Sequence, residues 1–209
     1  MAAPVPASLA PRKRPRQARA AATLDAIFEA TIQVLLRDGM HRLTTTRVAE
    51  RAGVSVGTMY QYFPHKRSLV YALNERYLQG LSDTIQAACR NQHGAPLDEM
   101  VAALVDTYWV AKTARPEVTR ALYRSVSEID NEAMIENFAR RVDAATAAML
   151  ASAPEANFPD LESVNLTLVA VIFGTVRYIF ERNLAPHAAE GLRLQLVLMC
   201  RSYLNAAKA

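Results

Sequence analysis

Apolar residues recur three and four positions apart along most of the chain, which is the spacing of one face of an α-helix. Proline, glycine and short polar stretches separate these segments. The pattern predicts helices at about 19–38, 66–90 and 96–114, a helix from 116, and helices at about 131–151, 161–183 and 186–207. Strands would show alternating β-branched runs bounded by turns, and the sequence has none. The chain is therefore predicted to be all-α.

Two shorter helices are predicted between residues 44 and 63, joined by a tight turn. Thr44 and Ser55 each stand where a side-chain oxygen can accept a hydrogen bond from a free backbone N–H at the start of a helix. Gly53 lies between them, and glycine readily adopts the left-handed conformation that ends a helix. Met59 and Phe63 are four apart and are expected to pack inward. This order predicts a helix-turn-helix, which places its second helix in the major groove of DNA.

The outer face of the second short helix carries side chains that are unusual for a surface helix: Val56, Gly57, Tyr60 and Gln61. The tyrosines of this helix are also consistent with ordinary amphipathic residues on a core helix. Because they follow a cap, a glycine turn and a second cap, we favour contacts with DNA bases. Gln61 can hydrogen-bond a base edge, with adenine as its natural partner, and Val56 is expected to contact a thymine methyl group.

The same segment carries a dense set of motif residues: Thr44, Val48-Ala49, Ala52-Gly53-Val54-Ser55, Gly57-Thr58, Tyr60-Gln61-Tyr62-Phe63, Lys66 and Leu69. With them, the stretch from Gly39 to Leu69 resembles the DNA-binding domain of the TetR (tetracycline repressor) family of bacterial transcriptional regulators. On this hypothesis the phosphate contacts come from Thr44, Arg47, Ser55, Thr58, Tyr62 and Lys66, and the outer face of the second helix contacts bases. Two positions depart from the family pattern. Arg47 stands where an acid often completes a capping box, and Val56 stands where a basic residue is common.

The N-terminal third of the chain is basic. Residues 1–75 hold 11 Lys or Arg and 5 Asp or Glu, whereas the remainder holds 13 and 15. This distribution is typical of a DNA-reading domain joined to another domain, although a solubilising charge imbalance gives the same counts. Residues 1–18 are rich in Pro, Ala and basic residues, and we expect a flexible arm that lies along phosphates, enters the minor groove or stays solvated. The predicted regions are this arm at 1–18, a helix-turn-helix domain at 19–65 and a helical domain at 66–209.

The last two predicted helices are apolar on more than one face. Both faces of such a helix must be buried, and the face that the fold does not use can meet a second subunit. The resemblance implies the same, because TetR-family members dimerise through their last two helices. A homodimer would present two recognition helices to successive major grooves of double-stranded DNA, about 34 Å apart, which predicts a palindromic operator.

The resemblance also implies a small-molecule effector held among the C-terminal helices. Aromatic and thioether side chains suit a flat or apolar ligand, and the candidates for lining its site are Met100, Tyr108, Trp109, Tyr123, Phe138 and Met149. Any one of them is also consistent with a core position. Arg177 lies in an apolar stretch and therefore needs an anionic partner, either an effector carboxylate or a structural acid, and we favour the acid.

Other chemistry finds little support in the sequence. The four histidines are scattered, at His41, His65, His93 and His187, and there is no paired His/Glu spacing, phosphate-binding glycine loop or nucleophile elbow. No metal or cofactor is expected. Cys89 and Cys200 are far apart in apolar surroundings and are expected to be buried, inert thiols, although a redox role stays open. No apolar run reaches the roughly 20 residues of a membrane span, so we expect a cytoplasmic protein without a membrane partner.

These expectations combine into one leading hypothesis, a ligand-responsive repressor released from DNA by a small hydrophobic or aromatic effector. One alternative is a constitutive or architectural DNA-binding protein without an effector. The other is an enzyme that uses the C-terminal helical cavity.

Overall fold

The computed structural model describes residues 18–126 and 129–209. Every regular element within these ranges is an α-helix, which confirms the all-α prediction for this part of the chain. The helices are α1 Ala18–Arg42, α2 Thr45–Ala52, α3 Val56–Tyr62, α4 Lys66–Asn91, α5 Leu97–Thr113, α6 Pro116–Val126, α7 Glu132–Ala151, α8 Leu161–Arg182 and α9 Pro186–Ala207. Apart from Ala18, which begins α1, the predicted arm at 1–18 lies outside the described residues.

Local signals account for the positions of the helix ends. The chain leaves helical geometry at Gly39, where φ is 75° and ψ is 173°, so the predicted stop falls inside the bounds of α1. The Asp160 carboxylate caps α8 by accepting a hydrogen bond from the Ser163 backbone N–H at 3.1 Å. Asn183 ends α8 in the left-handed conformation, and Pro186 occupies the first turn of α9. Residues close together in the sequence therefore determine where these helices begin and end.

Of the described residues, the first compact unit contains 18–78, 117–126 and 129–136. Its described part holds α1, α2, α3, the first half of α4, α6 and the start of α7. Each of the first four helices and α6 contributes buried apolar side chains to one core, among them Ile27, Val48, Met59, Leu69 and Val118. The rings of Phe28 and Phe63 pack in this core with centroids 5.9 Å apart. The core therefore fixes α3 by its inner face.

The second compact unit contains residues 79–116 and 137–209. Here α5 packs against α8 and α9, and buried residues from these helices form the core: Met100, Leu104, Ile172 and Leu196. Polar contacts join α5 and α9 at the surface, where Arg193 pairs with Asp106 and the Arg201 guanidinium donates to the Asp98 carbonyl at 3.1 Å. The unit is thus held by an apolar interior and by ion pairs at its edge.

The boundary between the units differs from the one predicted between residues 65 and 66. Leu69 and Leu73 of α4 and Leu122 of α6 are buried in the core that also covers α3. The first half of α4 therefore belongs to the unit of the short helices, and its second half belongs to the other unit. α4 is a structural element of both units.

α8 corrects one expectation about apolar segments. By length and composition, it is the single helix among the described residues that is long and apolar enough to cross a membrane. Core helices can have the same composition, and Val164, Leu168 and Ile172 of α8 are buried in the second unit. Less than half of its most apolar window is buried, so much of α8 faces outward in the single chain.

Candidate nucleic-acid interface

Two side-chain caps and one glycine set the geometry of α2 and α3. The Thr44 hydroxyl accepts a hydrogen bond from the Arg47 N–H at 3.2 Å, and the Ser55 hydroxyl accepts one from the Thr58 N–H at 2.9 Å. Gly53 adopts the left-handed conformation, with φ 68° and ψ 29°, and its N–H bonds the Glu50 carbonyl at 3.3 Å. These contacts confirm the predicted caps and turn.

α3 has one buried face and one exposed face. Met59 is fully buried against the core of the first unit, and Phe63 directly after the helix is buried beside it. The opposite face exposes the four predicted base-contacting residues, Val56, Gly57, Tyr60 and Gln61. Tyr60 leaves 45% of its surface exposed although its ring is large and apolar. An amide, a phenol and small apolar groups are therefore available to a partner on this face.

Tyr62 differs from the other predicted phosphate-contacting residues because its side chain is only 6% exposed. Its ring packs beside that of Phe63, with centroids 6.3 Å apart. Most of Tyr62 thus stabilises the core of the first unit, and only the small remaining surface could meet a phosphate. The hydroxyls of Ser55 and Thr58 lie 2.8 Å apart, so each also contacts the other.

The two predicted cationic phosphate ligands are both held near the end of α1. The Arg47 guanidinium donates to the Arg42 carbonyl at 3.2 Å and lies 3.7 Å from the Asp38 carboxylate. The Lys66 ammonium lies 3.4 Å from the Met40 carbonyl. Hydrogen bonds from the Arg37 guanidinium lower the pKa of the Asp38 carboxyl group, which favours its charged form. The end of α1 therefore orients basic side chains beside the helix-turn-helix.

His65 has a capping role that the sequence analysis missed. Its ring Nδ1 accepts a hydrogen bond from the Ser68 N–H at 3.1 Å, and the Ser68 hydroxyl donates to the His65 carbonyl at 2.7 Å. The signal in the sequence was the spacing of three residues between a polar side chain and a serine in the first turn of a helix. His65 thus fixes the start of α4, directly next to Lys66.

The predicted effector residues are divided between the two compact units. Tyr123 belongs to the first unit, whereas Met100, Tyr108, Trp109, Phe138 and Met149 belong to the second. In the second unit the Tyr108 ring stacks on Phe173 with centroids 4.1 Å apart, and the Phe138 ring lies 5.7 Å from the same Phe173. Phe173 links two predicted residues that are on different helices, and these rings already pack on one another.

Lys112 is a buried amine that the sequence analysis missed. Its side chain is 1% exposed, and its ammonium lies 5.5 Å from the centroid of the Tyr108 ring. Burial lowers the pKa of Lys112 to about 7. The signal in the sequence was its position, four residues after Tyr108 and eight after Leu104 on the buried stripe of α5.

Arg177 is an outward-facing residue of α8. Its guanidinium pairs with Glu181, one turn along the same helix, at 2.6 Å, and the two side chains are mostly exposed. The structural acid favoured from the sequence is therefore Glu181. The alternation of apolar and polar residues along α8 turns this side chain away from the core.

The two cysteines are buried free thiols, as expected. Burial raises the pKa of both Cys89 and Cys200 to about 11, so the reactive thiolate form is disfavoured at neutral pH. Within residues 18–126 and 129–209, no three His, Cys, Asp or Glu side chains are grouped so that they could hold a metal ion.

The capped helix pair and its exposed outer face define a helix-turn-helix protein of the DNA-binding class. Residues 27–73 match the family model of bacterial regulatory proteins of the tetR family. Residues 96–204, more than half of the chain, match the model of the tetracyclin repressor-like C-terminal domain. The chain belongs to the TetR family, and it is a DNA-binding transcriptional regulator of that family.

Curated relatives match part of the chain. The nucleoid occlusion factor SlmA of Haemophilus ducreyi is 38% identical over 97 residues, which cover 46% of this chain and 47% of that protein. The HTH-type transcriptional regulator BetI of Vibrio parahaemolyticus is 28% identical over 94 residues, which cover 45% of this chain and 47% of that protein. The chain thus spans about half the length of the curated relatives it matches.

Solved structures match nearly the whole chain. A TetR-family regulator from Streptomyces coelicolor is 25% identical, with a TM-score of 0.63 and coverage of 88% of this chain and 99% of that one. A TetR-family regulator from Mesorhizobium loti is 15% identical, with a TM-score of 0.74 and coverage of 92% and 100%. The SmeT–triclosan complex is 18% identical, with a TM-score of 0.67 and coverage of 90% and 92%. These matches confirm the fold.

Proposed function

We propose that this regulator is a repressor that binds a palindromic operator as a homodimer and is released by a small hydrophobic or aromatic effector. The observation that carries the DNA half of the proposal is the exposed face of α3, which is held rigidly from behind by Met59 and Phe63. A helix fixed in this way can present the same side chains to successive base pairs.

On this face, Val56, Gly57, Tyr60 and Gln61 contact bases. Gln61 hydrogen-bonds adenine, and Val56 contacts a thymine methyl group. The phosphate contacts come from Thr44, Arg47, Ser55, Thr58 and Lys66. Tyr62 contributes only a minor phosphate contact, because little of its surface is exposed. Phosphate contacts supply affinity for any sequence, whereas the base contacts select the operator.

The homodimer is supported by apolar residues that remain exposed in the single chain. Among the described residues, half of the large exposed apolar side chains lie on the last two helices, namely Leu166, Tyr178, Leu194, Leu198 and Met199. On α8, Leu166 and Tyr178 are twelve residues apart on one stripe, with the small exposed Ala170 and Gly174 between them. Small residues let a second helix approach closely, so α8 and α9 of two chains form the dimer interface.

The proposed effector binds in the second unit. The cluster of Tyr108, Phe138 and Phe173 gives this unit aromatic character, and Lys112 adds a buried amine. SmeT, which has the same fold, forms a complex with triclosan, a small chlorinated aromatic compound. A regulator of this kind acts on DNA in the cytoplasm.

Selection of bound duplexes from a random DNA pool at two salt concentrations tests the proposal. Recovery of one palindrome, bound by an even number of chains, is the expected result. Binding that depends on salt but selects no sequence would contradict it, because phosphate contacts alone behave in that way.

A second candidate is a DNA-binding protein that organises DNA without an effector. The match to the nucleoid occlusion factor SlmA favours it, because that protein's name describes a role in the nucleoid. A thermal-shift screen of small molecules separates the two candidates. An effector raises the melting temperature in a concentration-dependent way, whereas a protein without one gives no specific shift.

A further inference from the structure

An open groove of about 420 Å³ lies in the second unit between the last turns of α4 and the second half of α7. Sites for small molecules in proteins typically have volumes of roughly 300–1,000 Å³. Of the effector residues expected from the sequence, only Met149 lines this groove. Tyr108 and Phe138 pack on Phe173 instead.

Small side chains of α7 create the space and make the floor apolar. Ala144, Ala145 and Ala148 face α4, and none of them extends beyond its Cβ atom. Cys89 and Met149 are buried at the base of the groove. Flat hydrocarbon groups can therefore lie on this floor and lose contact with water, at a gain of about 25 cal/mol for each Å² of apolar surface covered.

The charged side chains that line the groove are cationic: Arg90 comes from the last turn of α4, and Arg141 comes from α7. His93, which follows α4, and Gln86 complete the polar lining. The described residues that line the groove include no carboxylate. A ligand with one negative charge therefore meets complementary charge at the rim and apolar surface below it.

Arg141 is held in place before any ligand arrives. Its guanidinium donates to the Asp83 carboxylate at 2.6 Å. With the Gln86 amide in the orientation that satisfies both of its polar atoms, the amide oxygen accepts from Arg141 Nε at 3.0 Å. Asp83 pairs directly with Arg141, whereas its electrostatic interaction with Arg90 is weaker, so Arg90 is the principal cation for a ligand.

We infer that this groove binds a small organic anion, with an apolar body of about two fused or linked rings on the alanine floor and a carboxylate or sulfonate on Arg90. The inference rests on the proposed function, because it names the chemical class of the effector. The site also suits that role, since α4 carries Cys89 and Arg90 at one end and begins with Lys66 in the unit that holds α3.

Two fluorescent probes of almost the same shape test the site on the full chain. Anilinonaphthalene sulfonate carries one negative charge, and N-phenylnaphthylamine carries none. We expect the sulfonate to bind at least tenfold more tightly, because a charge-assisted hydrogen bond contributes about that factor. Equal affinity of the two probes would overturn the inference.

Variants then assign the binding to the groove. Arg90→Gln should weaken sulfonate binding about tenfold and leave the neutral probe unchanged, whereas Arg90→Lys should retain most of the affinity. Arg140→Gln, which removes an exposed charge of α7 outside the groove, is the matched control and should change neither affinity. A sulfonate affinity that is unchanged in Arg90→Gln would overturn the inference.

A bulky residue on the floor gives an independent test of the same site. Ala148→Phe fills the groove and should abolish binding of both probes, whereas Ala151→Phe places the same ring on an exposed position outside the groove. Unchanged binding to Ala148→Phe would overturn the inference. These binding readouts do not involve DNA. A sulfonate that binds the groove but leaves operator affinity unchanged would contradict only the ligand response in the proposed function, and failure to select an operator would contradict only its DNA half.

Discussion

Lys112 places an ammonium group in the interior of the second unit, where its side chain is 1% exposed. Burial lowers its pKa from 10.5 to about 7, although the neighbouring Tyr108 ring favours the charged form. Between these two pH values the unfolded chain holds the proton that the folded chain has lost. The contribution of Lys112 to the free energy of unfolding therefore rises with pH in this window, by about 1.4 kcal/mol per unit.

Replacing the Lys112 side chain by an apolar one should remove its contribution to the pH dependence of the free energy of unfolding. We expect Lys112→Met to raise the free energy of unfolding by a few kcal/mol at about pH 6, where both states of the wild type are protonated, and by much less at about pH 9. Urea denaturation of both proteins at the two pH values measures the difference. An equal gain at both would show that Lys112 titrates normally.

For single residues, the sequence predicts the features that depend on residues close by in the chain. Thr44, Gly53 and Ser55 could be assigned because a cap or a left-handed turn depends on residues three or four positions away. The burial of Lys112 and the exposure of Arg177 could not be predicted, because the direction of each side chain depends on which face of its helix other helices cover.

The joint between α2 and α3 depends on a single glycine. Gly53 has φ 68° and ψ 29°, and a Cβ atom added there would meet no heavy atom within 4 Å. The cost of Gly53→Ala is therefore backbone strain alone, and we expect a loss of roughly 1–2 kcal/mol in the free energy of unfolding. Urea denaturation measures it.

Gly80 provides the matched control for that substitution. It lies within α4, is exposed, and its added Cβ would also meet no atom within 4 Å. Gly80→Ala should therefore stabilise the protein by roughly 0.5–1 kcal/mol, because alanine loses less backbone entropy in a helix. If the two substitutions shift the free energy of unfolding in the same direction, backbone strain at Gly53 is not the cause.

The helices themselves were predictable because caps, prolines and apolar periodicity agree along the chain. α9 begins at Pro186, and α8 ends next to Asn183, as the sequence indicated. The division of the chain into units was not predictable in the same way. α6 joins the first unit because Val118 and Leu122 are buried with α4, a contact between distant residues that periodicity does not specify.

The exposed apolar residues of α8 and α9 underlie the proposed oligomeric state of the protein. In the single chain, 57% of the Leu198 surface on α9 is exposed to water. This exposure of an apolar side chain is unfavourable unless a second subunit covers it. We expect light scattering to give twice the mass of the 23.0 kDa chain. Leu198→Glu should give the monomer mass, because a carboxylate in an apolar interface is strongly disfavoured.

Val110 on α5 is the control for that experiment, since it is 62% exposed and lies outside the last two helices. Val110→Glu makes the same change in charge and should leave the dimer intact. A dimer that survives Leu198→Glu but dissociates with Val110→Glu would place the interface elsewhere.

The first unit was more predictable than the second at the scale of the whole molecule. Reading DNA constrains α2 and α3 to a dense motif, so the turn at Gly53 and the exposed face of α3 could be predicted from the sequence. A ligand site is assembled from several helices and has no motif. The sequence therefore did not separate Tyr123 of the first unit from the candidates of the second, and the groove between α4 and α7 was not predicted.

The central claim is that the exposed face of α3 reads the bases of an operator. The most direct test measures the affinities of wild type and Gln61→Ala for the selected palindrome and for every single-base-pair variant of it, with Lys66→Ala as the control. We predict that Gln61→Ala loses about 1–3 kcal/mol of discrimination at one base pair of each half-site, whereas Lys66→Ala weakens all duplexes alike. Gln61→Ala binding that is uniformly weaker on every duplex would contradict the claim.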